Sequence, residues 1–431
     1  MINKKITTLL GALLITFIAI AQEVELSPVE KLEQRTETLE NEIIKLKKLK
    51  VSGYIQTQYQ SAQTDADGMN FKLANRANAY EQSEELNYGR FGVRRGRIKF
   101  TYEDGLVQGV FQPDFSEKGI SFKDVYLSIK DPWVGTNSLK SGIFDRPFGH
   151  EIAYSSSRRE SPERARITQT LFPDERDLGA MLTLQPAKTS TWNILKLEAG
   201  LFAGNGIKPQ ISTKMDFIGR LSITKQIGAD MVLSGGVSAY LGGILQTDSS
   251  IFVMKNKQFE LESKSGDNIG KYAKRQYFGF DAQFSTMTVA GFTQLRAEYI
   301  FGEHAQNPGG SWDYKFTAIQ QGPVYMRKIS GGYILLAQDL GQTPFTAVLK
   351  YDWYNPNTEV SGNEVGVSDS GTGAKDINQS TIGLGLLWRI NPALRLTAYY
   401  DITKNDTSEN IKGWDVDRKD NVFTLRLQYK F

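Results

Sequence analysis

The sequence predicts an all-β protein, a 16-stranded antiparallel transmembrane β-barrel with a short N-terminal coiled-coil helix. Apolar and polar residues alternate with a period of two from Lys50 to the end of the chain, which is typical of half-buried strands. Aromatic residues make up 11% of the sequence and recur on the apolar faces near strand ends, as in the girdles of outer-membrane barrels. The connections mostly alternate between long and short, as expected for outer loops and periplasmic turns.

The first 21 residues are predicted to be a secretory signal peptide. Lys4 and Lys5 precede an apolar run from residue 6 to residue 20, and Ala19-Ile-Ala21 provides a small-x-small cleavage site. The alternative is a single membrane-anchoring helix, although the apolar run is short for a span. The sequence contains no Cys, which excludes a disulfide scaffold, a thiol enzyme and a Cys-ligated metal site.

Residues 22–50 are predicted to form a periplasmic coiled-coil segment that brings chains together. Ser27 and Pro28 suit a helix cap and a first helical position. Glu and Lys fill most of the remaining positions. Two heptad positions form the predicted seam: Val29, Thr36, Ile43, Leu32, Leu39 and Leu46. The alternative is one amphipathic helix that lies on its own domain.

The barrel is predicted to occupy residues 51–431. Its sixteen strands are expected near 50–60, 89–103, 106–114, 119–130, 138–145, 177–185, 192–204, 214–224, 231–241, 270–283, 288–302, 325–337, 344–355, 374–389, 393–403 and 418–431. The longest connections are 61–88, 146–176, 242–269 and 356–373. The number of strands is even, and long connections alternate with short ones. Both features favour an outer-membrane barrel over a soluble sandwich.

The third outer loop of the predicted barrel, residues 146–176, contains many charged residues. It contains six Arg and, with Asp177, six acidic residues: Arg146, Arg158, Arg159, Arg164, Arg166, Arg176, Glu151, Glu160, Glu163, Asp174, Glu175 and Asp177. Long charged connections between apolar strands are usually functional or disordered, and the Phe, Tyr and Pro residues argue against disorder. We therefore expect this loop to fold into the lumen and to set the width and charge of a pore.

Alternation also predicts which side chains face the lumen. In the second strand Ile98, Phe100 and Tyr102 share the apolar face. The cations on the opposite face are therefore expected to point into the lumen: Arg95, Arg97 and Lys99. Arg94 has the parity of the apolar face and is expected to point outward. The same rule turns further cations and five acids inward: Arg220, Arg296, Lys350, Arg389, Arg395, Arg426, Lys430, Asp124, Asp216, Glu298, Asp352 and Asp401.

Cations outnumber acids on this inferred lumen face by ten to five. Rows of Arg and Lys favour the passage of anions and phosphates, and the planar guanidinium can donate two hydrogen bonds at once. The predicted anion pathway consists of Arg95, Arg97, Lys99, Arg158, Arg159, Arg164, Arg166, Arg220, Arg296 and Lys350. The alternative is that these charges only neutralise one another in a water-filled lumen.

Six segments of the chain resemble the porin O and P family of phosphate-selective outer-membrane porins. They are Gly53-Tyr-Ile-Gln56, Arg94-Arg-Gly-Arg97, Gly142-Ile-Phe-Asp-Arg-Pro-Phe-Gly149, Glu163-Arg164, Arg176-Asp-Leu-Gly179 and the terminal Phe431. The resemblance implies a homotrimer of sixteen-stranded barrels, each with an inward third loop, an arginine ladder and a lysine-lined constriction for phosphate-like anions. It also implies contact with outer-membrane lipid and a location in the outer membrane of a Gram-negative bacterium.

Little in the sequence points to catalysis. The two histidines, His150 and His304, are far apart and both fall in predicted loops, which leaves little for a catalytic triad or a zinc site. We therefore expect no enzyme activity, no cofactor, no metal and no nucleic-acid partner. The alternatives are a general-diffusion porin without phosphate selectivity, an outer-membrane enzyme barrel such as a phospholipase, and a non-conducting adhesin or anchor.

Overall fold

The computed structural model describes residues 28–66, 88–306 and 319–431. The predicted signal peptide, residues 1–21, lies outside the described residues. The chain divides into two compact units, Met1–Leu49 and Lys50–Phe431. In the part of the chain that the structure describes, no helix is both long enough and apolar enough to cross a membrane.

The described part of the first unit is a helix, α1, over Pro28–Lys48. Leu32, Leu39 and Ile43 are exposed, at 65%, 57% and 49% of their full accessible surface. Residues seven and eleven apart lie on the same face of a helix, so these side chains form one apolar stripe. Pairing of this stripe into a coiled coil stays a prediction.

The second unit is built from strands that form one sheet. In chain order they are β1 (Leu49–Ala62), β2 (Tyr88–Asp104), β3 (Val107–Ser116), β4 (Gly119–Lys130), β5 (Ser138–Asp145), β6 (Arg176–Leu184), β7 (Leu195–Phe202), β8 (Asp216–Ile227), β9 (Met231–Gln246), β10 (Ser250–Lys255), β11 (Gln258–Lys264), β12 (Tyr272–Thr288), β13 (Gly291–Gln306), β14 (Ile319–Gln320), β15 (Val324–Asp339), β16 (Phe345–Asn355), β17 (Gln379–Arg389), β18 (Leu394–Asn405) and β19 (Val422–Lys430).

Sixteen of these strands close into an antiparallel barrel, as the sequence predicted. The barrel closes where β1 pairs with β19, from Tyr54 opposite Lys430 to Ala62 opposite Val422, and β1 also pairs with β2. The remaining strands β10, β11 and β14 are additions: β10 and β11 form a hairpin, β10 runs parallel to β15, and β14 runs parallel to β9. The hairpin lies inside the connection that was predicted only as a long loop.

The strands have an apolar face on the outside of the barrel and a polar face inside. In β19, Leu427 and Tyr429 are exposed, whereas Arg426 and Gln428 on the opposite face are buried. Much of the barrel shows the same alternation, and in β16 the rings of Tyr351 and Trp353 stack on the outer face with centroids 5.6 Å apart. An apolar outer surface with aromatic side chains fits a sheet that is surrounded by lipid.

The third loop folds inward and is held by an apolar cluster inside the barrel. The Phe148 and Phe172 rings contact each other at a centroid distance of 4.8 Å, and Phe172 packs edge-on against Tyr277 of β12 at 5.8 Å. In the sequence between Phe148 and Phe172, loop three contains a short helix, α2 (Arg166–Leu171), whose Ile167 is fully buried. Both ends of the loop are thus packed against the barrel wall.

Candidate functional site at loop three

Loop three, residues 146–175, begins with a turn that is fixed to strand β13. The backbone N–H groups of His150 and Glu151 donate to Glu298 Oε2 at 3.0 and 2.9 Å. Gly149 has φ +62°, and a Cβ at this position would overlap Glu298 Oε1. Only glycine combines this left-handed conformation with so close an approach. The family-like segment that ends at Gly149 therefore has a local physical reason for its last residue.

The middle of loop three reaches the wall formed by β1 and β19. The Ser156 hydroxyl lies 2.5 Å from the Tyr54 hydroxyl, and the Ser156 carbonyl accepts from Gln56 Nε2 at 3.1 Å. From β19, Gln428 Nε2 donates to the Ser157 carbonyl at 3.0 Å. Loop three therefore reaches inside the barrel from β5 and β6 to the two strands at which the sheet closes.

A first group of charges, which we name the glutamate cluster, consists of Glu163, Arg94, Arg95, Arg159 and Arg426. Arg94 donates twice to Glu163, from Nε to Oε1 and from Nη2 to Oε2, both at 2.8 Å. Arg426 Nη2 lies 2.9 Å from Oε1, Arg95 Nη2 lies 3.3 Å from Oε2, and Arg159 Nη2 lies 4.0 Å from Oε2. One carboxylate thus faces four guanidinium groups.

The ionisation of Glu163 follows from these neighbours. Burial by itself would raise the pKa of the carboxyl group, because a dry environment disfavours the charged form. Arg94, Arg95 and Arg426 outweigh burial and hold the pKa of Glu163 well below its usual range. Glu163 is therefore ionised at neutral pH.

The position of Arg94 corrects the parity assignment made from the sequence. Arg94 was predicted to point outward, but its guanidinium pairs with Glu163 of the inward loop. Phe91 and Val93 have the same parity as Arg95 and are exposed, while Arg95 is only 2% exposed. Strict alternation therefore breaks between Val93 and Arg95, which brings two successive arginines to one carboxylate.

A second group, the arginine cluster, consists of Arg176, Asp124, Asp145 and Glu175. Arg176 Nε lies 3.0 Å from Asp124 Oδ1, and its Nη1 lies 3.0 Å from Asp145 Oδ1 and 2.8 Å from Glu175 Oε2. Burial would raise the pKa of Glu175, but Arg164 and other cations around it hold that pKa well below its usual range. One guanidinium thus faces three carboxylates.

The other residues of the predicted pathway are distributed between wall and loop. Five cations of the wall each lie close to a carboxylate: Arg97 to Asp114 at 2.8 Å, Lys99 to Asp124 at 3.7 Å, Arg220 to Asp281 at 2.6 Å, Lys350 to Asp352 at 3.2 Å, and Arg296 to Glu160. In the loop, Arg164 pairs with Glu175, the Arg166 backbone N–H donates to Asp352, and Arg158 is exposed.

Loop three borders a cavity of about 310 Å³ beside the first and last strands of the barrel. Its lining includes Gly53 of β1 and Ser155 at the middle of the loop. The charged residues of the lining are Arg97, Lys99, Arg158, Arg164, Arg176, Lys430, Asp124 and Asp145. Six cations and two carboxylates give this space an excess of positive charge, although the whole chain has a net charge of only +3.

The two histidines lie apart. His150 stacks on Tyr154 at a centroid distance of 5.3 Å, and burial together with Arg296 lowers the pKa of His150 to about 4. His304, which was predicted to lie in a loop, belongs to β13 and its Nδ1 hydrogen-bonds the Tyr277 hydroxyl. Among the described residues, no group of three or more His, Asp or Glu side chains is placed to hold a metal ion.

Comparison with known proteins agrees with this architecture. A family model described as phosphate-selective porin O and P matches residues 54–431. The fold is similar to OprB of Pseudomonas putida, with 7% identity, a TM-score of 0.56 and coverage of 92% of this chain and 96% of that one. It is also similar to the outer membrane channel DcaP of Acinetobacter baumannii, with 11% identity, a TM-score of 0.53 and coverage of 89% and 97%.

An anion-selective porin from Comamonas acidovorans has the same fold, with 10% identity, a TM-score of 0.51 and coverage of 89% of this chain and 99% of that one. At these identities the structural similarity is evidence for the fold alone. A comparison with curated protein sequences finds no match. The assignment of the chain to a family therefore rests on the family model, which matches most of the chain.

Proposed function

Because the chain belongs to the phosphate-selective porin O and P family, we propose that this outer-membrane porin passes small anions, phosphate or polyphosphate among them. Porin barrels enclose a water-filled lumen, and the charges along the lumen decide which ions enter. The proposed pathway runs along the wall past loop three, where four of the ten cations that the sequence singled out line the cavity: Arg97, Lys99, Arg158 and Arg164.

The observation that carries this proposal is the charge of the cavity beside loop three. Its lining has six cations and two carboxylates, and Arg158 projects from the loop with its side chain exposed. A cationic site between low-dielectric walls concentrates anions locally. The excess of positive charge supports passage of anions in general, and the density of guanidinium groups supports oxyanions such as phosphate.

The experiment is a measurement of reversal potential in planar bilayers under a salt gradient. Lys99→Glu combined with Arg158→Glu should lower the anion-to-cation permeability ratio by about tenfold, because both charges lie in the cavity lining. Neither side chain is fully buried, so the double variant is expected to fold. Added phosphate should reduce the chloride current of the wild type and have less effect on the double variant.

Lys118→Glu serves as the matched control. Lys118 is exposed in the turn between β3 and β4, outside the cavity beside loop three, so the same charge change should alter the reversal potential little. An unchanged reversal potential in the double variant, with wild-type sensitivity to phosphate, would leave a general-diffusion porin as the better description.

We further propose that the porin is a homotrimer to which α1 contributes. The exposed stripe of Leu32, Leu39 and Ile43 supports this, because apolar side chains at coiled-coil spacing are buried when helices associate. Deleting residues 23–48, which end where β1 begins, should weaken the trimer while the barrel stays folded, since a closed sheet satisfies its own backbone hydrogen bonds. A native mass measurement that finds only monomers of the full chain would contradict the proposal.

A further inference from the structure

The glutamate cluster has more positive charge than its single carboxylate can neutralise. Arg94, Arg95, Arg159 and Arg426 all lie within 4.0 Å of Glu163, and both carboxylate oxygens accept hydrogen bonds from arginine. Arginine groups that converge in this way are the usual means by which proteins bind carboxylate and phosphate. The geometry is that of a ligand site whose ligand is supplied by the chain itself.

We propose that the four arginines of the glutamate cluster form a binding site for small oxyanions, and that Glu163 occupies it as a tethered carboxylate. The inference rests on the proposed function, since it assigns a specific site within the proposed anion pathway. In the native porin Glu163 fills the densest group of arginines, and permeating anions meet the less enclosed cations around the cavity instead. Glu163 would thereby prevent tight capture of an anion, which would slow conduction.

Unused hydrogen-bond donors support this assignment. Arg95 Nε and Arg159 Nη1 are buried and have no hydrogen-bond partner, and the two residues are 2% and 3% exposed. A buried donor without a partner is costly, so these groups would gain from a ligand with more oxygen atoms than a carboxylate. Burial and the neighbouring Arg164 also lower the pKa of Arg159 to about 10, consistent with uncompensated positive charge.

The four arginines converge on the two oxygen atoms of Glu163, so a free oxyanion that used all four would need the position of the carboxylate. The neighbouring cavity, which Glu163 shares with Arg166 and Lys350, has a volume of about 10 Å³, has room for about one water molecule and is lined by none of the four arginines. Replacing Glu163 with Ala removes a group about the size of acetate and leaves the four arginines in place.

Loop three also provides a matched control. Glu160 is buried, lies three residues before Glu163 and pairs with Arg296, while the Tyr154 hydroxyl donates to it at 3.1 Å. Among the described residues one guanidinium, that of Arg296, forms an ion pair with Glu160, against four around Glu163. Glu160→Ala therefore removes the same atoms from the same loop without creating a site with several arginines.

The test measures thermal unfolding of the purified full-length porin at constant ionic strength, with chloride replaced stepwise by acetate or inorganic phosphate. A ligand that binds the folded state raises the unfolding temperature as its concentration rises. Glu163→Ala should show a saturable rise, with an apparent affinity at least about tenfold tighter than that of the wild type or of Glu160→Ala. Equal responses of the three proteins would overturn the proposal.

The two anions distinguish the kinds of ligand. A response to acetate alone would define a carboxylate site, and a stronger response to phosphate would show that the unused donors take part. If Glu163→Ala folds only poorly, the proposal predicts that acetate during refolding restores its yield, with no such effect on Glu160→Ala. Refolding that is indifferent to acetate would count against the site.

Glu163→Gln provides a second variant that keeps the space filled. Its amide should block acetate binding but remove one negative charge, so the anion-to-cation permeability ratio should rise relative to the wild type. A ratio at or below the wild-type value would contradict the role of Glu163. Because the unfolding assay needs no conductance, a wild-type pore without anion preference would overturn the proposed function and leave the binding result standing.

Discussion

The two charge clusters that hold loop three are opposite in composition. In the glutamate cluster one carboxylate of the loop meets arginines from β2, β19 and the loop itself. In the arginine cluster one guanidinium, at the start of β6, meets carboxylates from β4, β5 and the loop. The chain as a whole is close to neutral, but its positive and negative charges are concentrated at different places in the lumen. The near-equal totals of acids and bases therefore say nothing about the field at any one point of the lumen.

The comparison also separates two ways of stabilising buried charge. Removing one partner of a buried ion pair leaves the other charge uncompensated, and this loss is larger than the net contribution of the pair. Arg176 is the shared partner of three carboxylates, whereas each arginine around Glu163 is one of four. We therefore expect loop three to depend more on Arg176 than on any single arginine of the glutamate cluster.

The largest effect is expected for Arg176→Gln. It leaves Asp124, Asp145 and Glu175 facing one another without their shared cation, and we expect a loss of about 3–5 kcal/mol in the free energy of unfolding. Denaturant unfolding in detergent measures this loss. Arg176→Lys keeps the charge but not the forked geometry, so it should recover only part of the stability. A loss below about 1 kcal/mol for Arg176→Gln would remove the distinction between the clusters.

A smaller effect is expected for Arg95→Gln. Glu163 keeps Arg94 and Arg426 at 2.8 and 2.9 Å, so the expected loss is about 1–2 kcal/mol. Combining Arg95→Gln with Arg426→Gln should cost more than the sum of the single changes, because each remaining arginine must then compensate more of the carboxylate. A double-mutant cycle in the same unfolding assay measures this coupling. Strict additivity would mean that the four arginines do not share the charge of Glu163.

The barrel could be predicted from the sequence because it depends on local patterns. Strands such as β4 and β5 have the predicted bounds, since alternation and turn residues lie within a few positions of each other. The hairpin of β10 and β11 was missed because it pairs two short strands within one outer loop. The inward position of loop three was predicted from its charged and apolar residues. In the structure the contact between Phe148 and Phe172 holds the two ends of the loop together.

The partners of the charges could not be predicted in the same way. Arg426 and Glu163 are 263 residues apart, and their contact depends on the register of the strands and the path of the loop. Alternation placed Arg95 inside the lumen but gave the wrong side for Arg94, since one break in the pattern reverses the parity of the residues beyond it. The adjacent pair Arg94-Arg95 in a strand was the available signal, because two successive charges cannot both follow the alternation.

The smallest effect is a pH dependence that belongs to His150 and to neither cluster. Because burial and Arg296 lower the pKa of His150 from its ordinary value of 6.5 to about 4, the unfolded chain binds a proton between these values and the folded chain does not. The contribution of His150 to stability should therefore fall as the pH decreases through 6.5, by about 1 kcal/mol at pH 6 relative to its constant value well above pH 7. Glu163 and Glu175 have pKa values well below their usual range, so both clusters keep their charge in this window and contribute loss only at lower pH. The difference in stability between wild type and His150→Gln should show this slope between pH 6.5 and 5, because the other titrating groups, His304 among them, are present in both proteins and cancel from the comparison. If the unfolding temperatures of wild type and variant run parallel across this window, the pKa of His150 is not lowered by burial and Arg296, and the pH response belongs to groups that the two proteins share.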